Sequence, residues 1–170
     1  CLEILEFIIS STKDVSISPL WYDTTYEIPL TKKKKTSVLM SFYYWMINGS
    51  MGYAPGKISL AGTNFGVHPN YVDENSNLFE VEWQPGGCIM HRRENIVSED
   101  YYPYSGKAYF EDVIHSHILR KSGISLFVAI RAKCMSKTNP RLPFRGELYQ
   151  DYKARLYFVK MANLSIIRMY

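Results

Sequence analysis

The chain has 170 residues, of which 46% are hydrophobic and 21% charged. Both values lie near the average of globular proteins, which excludes a disordered or collagen-like chain. A chain of this length buries roughly 70% of its unfolded surface, so we expect one domain over residues 1–170 that needs neither metal nor disulfide to fold. The net charge of +4 is too small to identify a dedicated nucleic-acid-binding protein.

The cysteines and the apolar segments limit the cellular setting. Cys1, Cys88 and Cys134 are odd in number and far apart, which predicts no disulfide framework and favours a reducing compartment. We expect Cys88 and Cys134 to act as small apolar residues. The longest apolar stretch, residues 38–47, is about half the length of a bilayer span, which predicts no stable membrane insertion. Because the chain begins at Cys1 and not at Met, we expect further residues beyond its ends.

Aromatic residues make up 15% of the chain, and alternating patterns predict mostly strands. Phe79, Val81 and Trp83 share one face of an extended segment, with glutamates between them. The strands expected from such patterns, in chain order, cover residues 4–9, 25–30, 37–47, 78–83, 124–133 and 152–170, the last interrupted by a bulge or turn at Asn163. Residues 110–120 form the one expected helix. Many short strands without an alternating strand–helix rhythm predict an antiparallel sandwich or barrel.

The residue patterns predict no catalytic residues, no metal site and no cofactor. His115 and His117 would share one face of an extended segment, but a third ligand at useful spacing is missing. Cys88 follows two glycines and precedes His91, a placement that suggests the nucleophile of a chymotrypsin-like protease in a β-rich chain. The residues after it, Ile89 and Met90, offer no glycine backbone for an oxyanion hole, which argues against that role.

A run of lysines lies between two predicted strands. Such a run is most often a solvated loop and in some proteins contacts phosphate groups. The sequence therefore keeps RNA contact by this run as a hypothesis, for Lys32, Lys33, Lys34 and Lys35.

Several aromatic segments, in their order along the chain, resemble the capsid proteins of picorna-like viruses, especially those of arthropods. The segments are the aromatic run at residues 42–45 followed by 48–51, the Trp-Gln-Pro-Gly-Gly turn at 83–87, the tyrosine-rich element at 101–105 and the apolar run at 154–166. The chain departs from the family pattern at Gln84, where the family has proline. It is also shorter than the family's major capsid proteins and lacks a long arm before the first strand.

The resemblance implies an all-β fold, an antiparallel eight-stranded jelly-roll β-sandwich. It implies a structural subunit that packs with related subunits into an icosahedral shell around an RNA genome, found in the virion and, during assembly, in the host cytoplasm. Other capsid subunits, and viral RNA, are the expected partners, and a lipid-like ligand between the two sheets is a further expectation. Because tyrosines are enriched at protein contacts, the expected subunit-interface residues are Tyr101, Tyr102 and Tyr104.

Two other functions stay open at this point. One is a soluble β-sandwich binding module that recognises a protein or glycan through aromatic loops such as residues 101–104. The other is an enzyme that uses Cys88 and His91, for which unusual thiol reactivity is the required sign.

Overall fold

The computed structural model describes residues 1–31, 37–72, 76–98, 102, 109–137 and 145–169. The helices are α1 (Leu2–Ser11), α2 (Val38–Asn48), α3 (Glu111–Lys121), α4 (Arg145–Met161) and α5 (Ile166–Met169), and the strands are β1 (Val15–Asp23), β2 (Leu78–Val81), β3 (Met90–His91) and β4 (Ser125–Ser136). Short 3-10 helices cover Gly49–Met51, Pro69–Tyr71 and Arg93–Asn95. The fold is therefore mixed α/β, and the predicted all-β, eight-stranded jelly roll is wrong.

The strands form one four-stranded sheet in the order β2-β4-β1-β3. The central strands β1 and β4 run parallel, and their pairing shifts register between Pro19 and Leu20. The edge strands β2 and β3 run antiparallel to their neighbours. Since parallel neighbours need a crossover connection, the sheet cannot be the purely antiparallel one expected from the sequence.

Helices cover both faces of the sheet, where a jelly roll would have a second sheet. One core cluster joins α1 to β1 and β4 and contains Leu5, Ile9, Val15, Ile17, Ala129 and Ala132. The cluster on the opposite face includes the end of α3 and contains Leu20, Val67, Val81, Leu119, Ile124, Leu126 and Val128. Behind α3, a further cluster packs it against α4 through Ile58, Val113, Ile114 and Phe158. Apolar side chains on both faces explain why β1 is buried over its first six residues.

Some predicted elements are confirmed. The strand expected at 124–133 is β4, and the helix expected at 110–120 is α3. The strand expected at 78–83 is present as β2, which ends at Val81. Asn163 has a φ of +53° and lies in the turn after α4, as the sequence predicts.

Three segments predicted as strands are mostly helical: 4–9 lies in α1 and 37–47 in α2 with its cap, and the described part of 152–170 forms the rest of α4, a turn and α5. Their buried residues have helical spacing, such as Leu5 and Ile9 in α1 or Ala154 and Phe158 in α4. Residues 25–30 form a turn with one isolated bridge, from Tyr22 to Pro29, and the predicted strand there is also wrong. The turn forms because the Asp23 carboxylate accepts hydrogen bonds from the two backbone N–H groups of residues 25 and 26.

Candidate functional site

Helix α2 forms because both of its ends are capped. The Ser37 Oγ accepts a hydrogen bond from the Met40 N–H at 3.2 Å, and Gly49 ends the helix with a φ of +61°. One stripe, which includes the buried Tyr44 and Ile47, packs on the loop around Phe65.

Most other side chains of α2 are apolar and exposed. We call this surface the aromatic face, formed by Val38, Leu39, Phe42, Tyr43, Trp45 and Met46. Val38 is 91% exposed, and Phe42 and Trp45 are each 55% exposed. A helix that is apolar on all sides is normally covered on all sides. The aromatic face therefore has the composition of a buried surface but lies in solvent.

The chemistry of the aromatic face is that of a protein contact. No charged residue occurs between Ser37 and Gly56. The rings of Phe42 and Trp45 stack with centroids 5.9 Å apart, so two large side chains of this face contact each other. From the usual areas of such side chains, the exposed apolar surface is on the order of several hundred Å², as large as the largest patch of a typical monomer. Aromatic residues and missing charge are both typical of interface cores.

Helix α5 holds the C-terminal end of α2. The Arg168 guanidinium donates hydrogen bonds to the carbonyl oxygens of Trp45 and Met46, at 3.2 and 2.6 Å. These carbonyls belong to the last turn of α2, where a cation is favourable. Ile167, next to Arg168, is 90% exposed. The aromatic face thus lies on a helix anchored at its C-terminal end.

The structure describes only one of the residues predicted to contact RNA or other subunits. Lys32, Lys33, Lys34 and Lys35 lie outside the described residues, as do Tyr101 and Tyr104. Tyr102 is half-buried, and its ring lies 5.0 Å from that of Tyr157 in α4. The aromatic face was not among the predicted sites, although the charge-free stretch of residues 37–56 was a readable signal for it.

A second feature, which we call the cysteine cleft, is a cavity of about 400 Å³ between the loop after β2 and the first turns of α3. It is lined by Gly86, Gly87, Cys88, Ile89, Glu111, Asp112 and His115. The glycines let the loop come close: a Cβ on Gly87 would lie 2.7 Å from the Trp21 ring. The cleft brings a thiol, an imidazole and two carboxylates together.

Burial changes the acid–base properties of the cleft. It raises the pKa of Asp112 to about 6, and the neighbouring Glu111 carboxylate adds to the rise. Burial also lowers the pKa of His115, with a further contribution from His91. The pKa of the Cys88 thiol is raised, chiefly by burial and then by Cys134. These shifts favour a neutral His115 and a protonated Cys88, and they move Asp112 toward its protonated form, although a pKa of about 6 leaves most of Asp112 ionised at pH 7.

The two histidines predicted from one extended segment point in different directions, because their segment is the helix α3 and not a strand. His115 lines the cysteine cleft and lies 6.1 Å, centroid to centroid, from the His91 ring. His117 packs against the Phe158 ring, and its buried Nε2 has no hydrogen-bond partner among the residues that the structure describes. Within the described ranges, no three His, Cys, Asp or Glu side chains form a metal-binding group.

The enzyme hypothesis joined Cys88 to His91, and the structure places another histidine in the cleft with Cys88. His91 faces the 3-10 helix that follows it, where its Nδ1 lies 3.1 Å from the carbonyl oxygen of Asn95. His115 is the histidine that lines the cleft. A nucleophilic cysteine needs a lowered pKa, whereas that of the Cys88 thiol is raised. This cleft therefore favours a protonated, weakly nucleophilic thiol.

Comparisons with protein-family models, curated proteins and solved structures gave no match, so function is inferred from the residues of this chain. In the part of the chain that the structure describes, none of the helices has the length and apolar character to cross a membrane.

Proposed function

We propose that this protein is a structural subunit that associates with a second copy of itself through the aromatic face of α2. The observation that carries the proposal is the exposure of Phe42 and Trp45 in a helix with no charged residue. Burying such a surface is favourable by roughly 25 cal/mol for each Å² of apolar area removed from water. In a monomer this apolar area stays in contact with water, so the favourable free energy of its burial is not gained.

The charge pattern supports a second copy as the occupant. In a two-fold dimer the same surface meets itself, so a charged patch would face like charges. The aromatic face avoids this repulsion because residues 37–56 contain no charge. A strongly charged partner, in contrast, would bury its charges against a surface that cannot pair them. The cation bound at the C-terminal end of α2, Arg168, belongs to α5 and lies outside residues 37–56.

Like the expectation from the sequence, the proposal is an association between subunits, but it does not depend on a jelly-roll fold. Assembly into an icosahedral shell with RNA was implied by the resemblance, which also implied the wrong fold, and it stays a prediction. The alternative of a β-sandwich binding module assumed an all-β fold, which the structure also contradicts. Recognition of a different protein through the aromatic face becomes an alternative outcome of the experiment below.

Opposite charges at Phe42 test whether the face meets itself. Phe42→Glu and Phe42→Lys should each abolish self-association, because like charges would then meet in the contact. An equimolar mixture of the two variants should form a mixed dimer, detected by native mass spectrometry. Phe42 is 55% exposed, so neither substitution disturbs the core.

Phe7 provides the matched control, since it is 73% exposed on a different helix, α1. Phe7→Glu should leave self-association unchanged. Equal association of the wild type and both Phe42 variants would contradict the proposal. So would a wild type that stays monomeric and binds only a different protein or lipid vesicles.

A further inference from the structure

Two cysteines far apart in the sequence come together at the cysteine cleft. Cys134 lies in β4, where it is paired with Trp21 of β1. The Trp21 ring in turn lies against the backbone of Gly87, the residue before Cys88. The sheet pairing and this ring contact therefore bring the loop that carries Cys88 toward the strand that carries Cys134.

The packing of Cys88 also indicates that it lies near Cys134. Its side chain packs against the core cluster that contains Ala132. Ala132 and Cys134 are two positions apart in a strand, so their side chains point to the same face. Cys134 also contributes to the raised pKa of the Cys88 thiol, after burial, which agrees with this placement. Both cysteines are free and half-buried.

We propose that Cys88 and Cys134 form a reversible disulfide bond by exchange with a low-molecular-weight disulfide such as glutathione disulfide. The thiolate of Cys88 attacks one sulfur of the reagent, which forms a mixed disulfide and releases one thiol. The thiolate of Cys134 then attacks the Cys88 sulfur, which closes the protein disulfide and releases the second thiol. Two electrons pass from the protein to the reagent, and the two thiol protons end on the released small thiols.

Access determines which cysteine reacts first. Cys88 lines an open cavity of about 400 Å³, where a small reagent can reach its sulfur. Cys134 is not among the residues that line this cavity, and it reaches Cys88 from the strand β4. Cys88 is therefore the entry cysteine and Cys134 the resolving cysteine. The raised pKa of the Cys88 thiol makes the first step slow at neutral pH.

The bond would fasten the glycine loop to β4 across β1. Because it closes a long loop between residues 88 and 134, it restricts the unfolded chain and should raise the melting temperature by about 5–10 °C. The proposal does not rest on self-association, since neither cysteine lies on the aromatic face.

The test treats the reduced 170-residue chain with glutathione disulfide and analyses it by peptide mass spectrometry. The expected product is a chain with one internal disulfide that joins the peptides of Cys88 and Cys134 and is reversed by dithiothreitol, with no disulfide between chains. Cys134→Ser should stop at a glutathione adduct on Cys88. Cys1→Ser removes an exposed cysteine outside the pair, so this variant should still form the internal bond.

Three results would overturn the proposal. They are a lasting glutathione adduct on wild-type Cys88, a disulfide that involves Cys1 in preference to the pair, and an internal bond that forms only in denaturant. The control for folding is the circular dichroism spectrum of each variant in its reduced form.

Discussion

The Oγ of Ser16 donates a hydrogen bond of 2.7 Å to the side-chain oxygen of Gln84, and both residues are fully buried. The Gln84 amide nitrogen donates to the carbonyl oxygens of Ser16 and Phe127, at 2.9 and 2.8 Å. The backbone N–H of Gln84 donates to the Oγ of Ser116. One residue thus joins β1, β4 and α3 and fixes the start of the glycine loop that lines the cysteine cleft.

Replacement of Gln84 should strongly destabilise the protein. Gln84→Leu removes the side-chain donor and acceptor and leaves the Ser16 hydroxyl without this partner inside the core. Unsatisfied buried groups of this kind cost about 1–3 kcal/mol each, so we expect a loss on the order of 3 kcal/mol in the free energy of unfolding. Urea denaturation followed by circular dichroism measures this loss.

The matched control is Gln150→Leu, at the only other glutamine of the chain, which is partly exposed on α4. We expect this variant to change stability by less than about 0.5 kcal/mol. A small effect of Gln84→Leu, comparable to that of the control, would contradict the role of the buried amide.

The two glycines of the cleft loop should respond differently to alanine. A Cβ on Gly87 would lie 2.7 and 2.9 Å from two carbons of the Trp21 ring, which is too close for a real contact. A Cβ on Gly86 would meet its nearest neighbour, the Cβ of Asp112, at an ordinary 3.6 Å. We therefore expect Gly87→Ala to cost about 1–3 kcal/mol and to shift the tryptophan emission, and Gly86→Ala to do neither. Equal effects of the two substitutions would show that the loop does not lie against Trp21.

Asp112 should make stability depend on pH in the acidic range. Its pKa rises from 3.8 in the unfolded chain to about 6 in the folded protein, because of burial and then because of Glu111. Between these values the folded state holds a proton that the unfolded state has lost, so this group's contribution to stability falls as the pH rises from about 4 to 6. Asp112→Asn removes this dependence and should raise stability at pH 7 by on the order of 2 kcal/mol.

The measurement is the difference in unfolding free energy between wild type and Asp112→Asn at several pH values. Asparagine keeps the side-chain oxygen that accepts the Val113 N–H, so the difference reports the charge. Glu111→Gln should reduce the pH dependence without abolishing it, because Glu111 is the smaller cause. A difference that stays constant from pH 4 to pH 7 would contradict the raised pKa.

The local sequence pattern predicts an element correctly when its residue composition and its hydrophobic periodicity both indicate the same type of secondary structure. Strand β4 alternates clearly, and α3 has acidic residues in its first turn and basic residues in its last, as helix ends favour. Helix α2 was missed because its Tyr, Phe and Trp residues favour strands and its exposed side is as apolar as its buried side. The caps at Ser37 and Gly49 were the readable evidence for a helix. The resemblance was based on the order of the aromatic segments along the chain. That order does not determine secondary structure, and two of the segments, 42–45 and most of 154–166, are helical.

The candidate sites were harder to predict than the elements. The sequence drew attention to Cys88 and His115 separately, each with a different expected neighbour. Their shared cleft depends on how α3 packs beside the glycine loop, and the proximity of Cys88 to Cys134 depends on the parallel pairing of β1 with β4. These long-range contacts leave no local pattern in a single sequence.

Sedimentation velocity of the reduced wild-type protein tests the central claim most directly. The concentration should range from about 1 µM to about 100 µM, which spans the affinities of ordinary dimers. The account predicts that the weight-average sedimentation coefficient rises with concentration in the wild type and in Phe7→Glu, and stays constant in Phe42→Glu. A single wild-type species of 19.8 kDa at every concentration would contradict it.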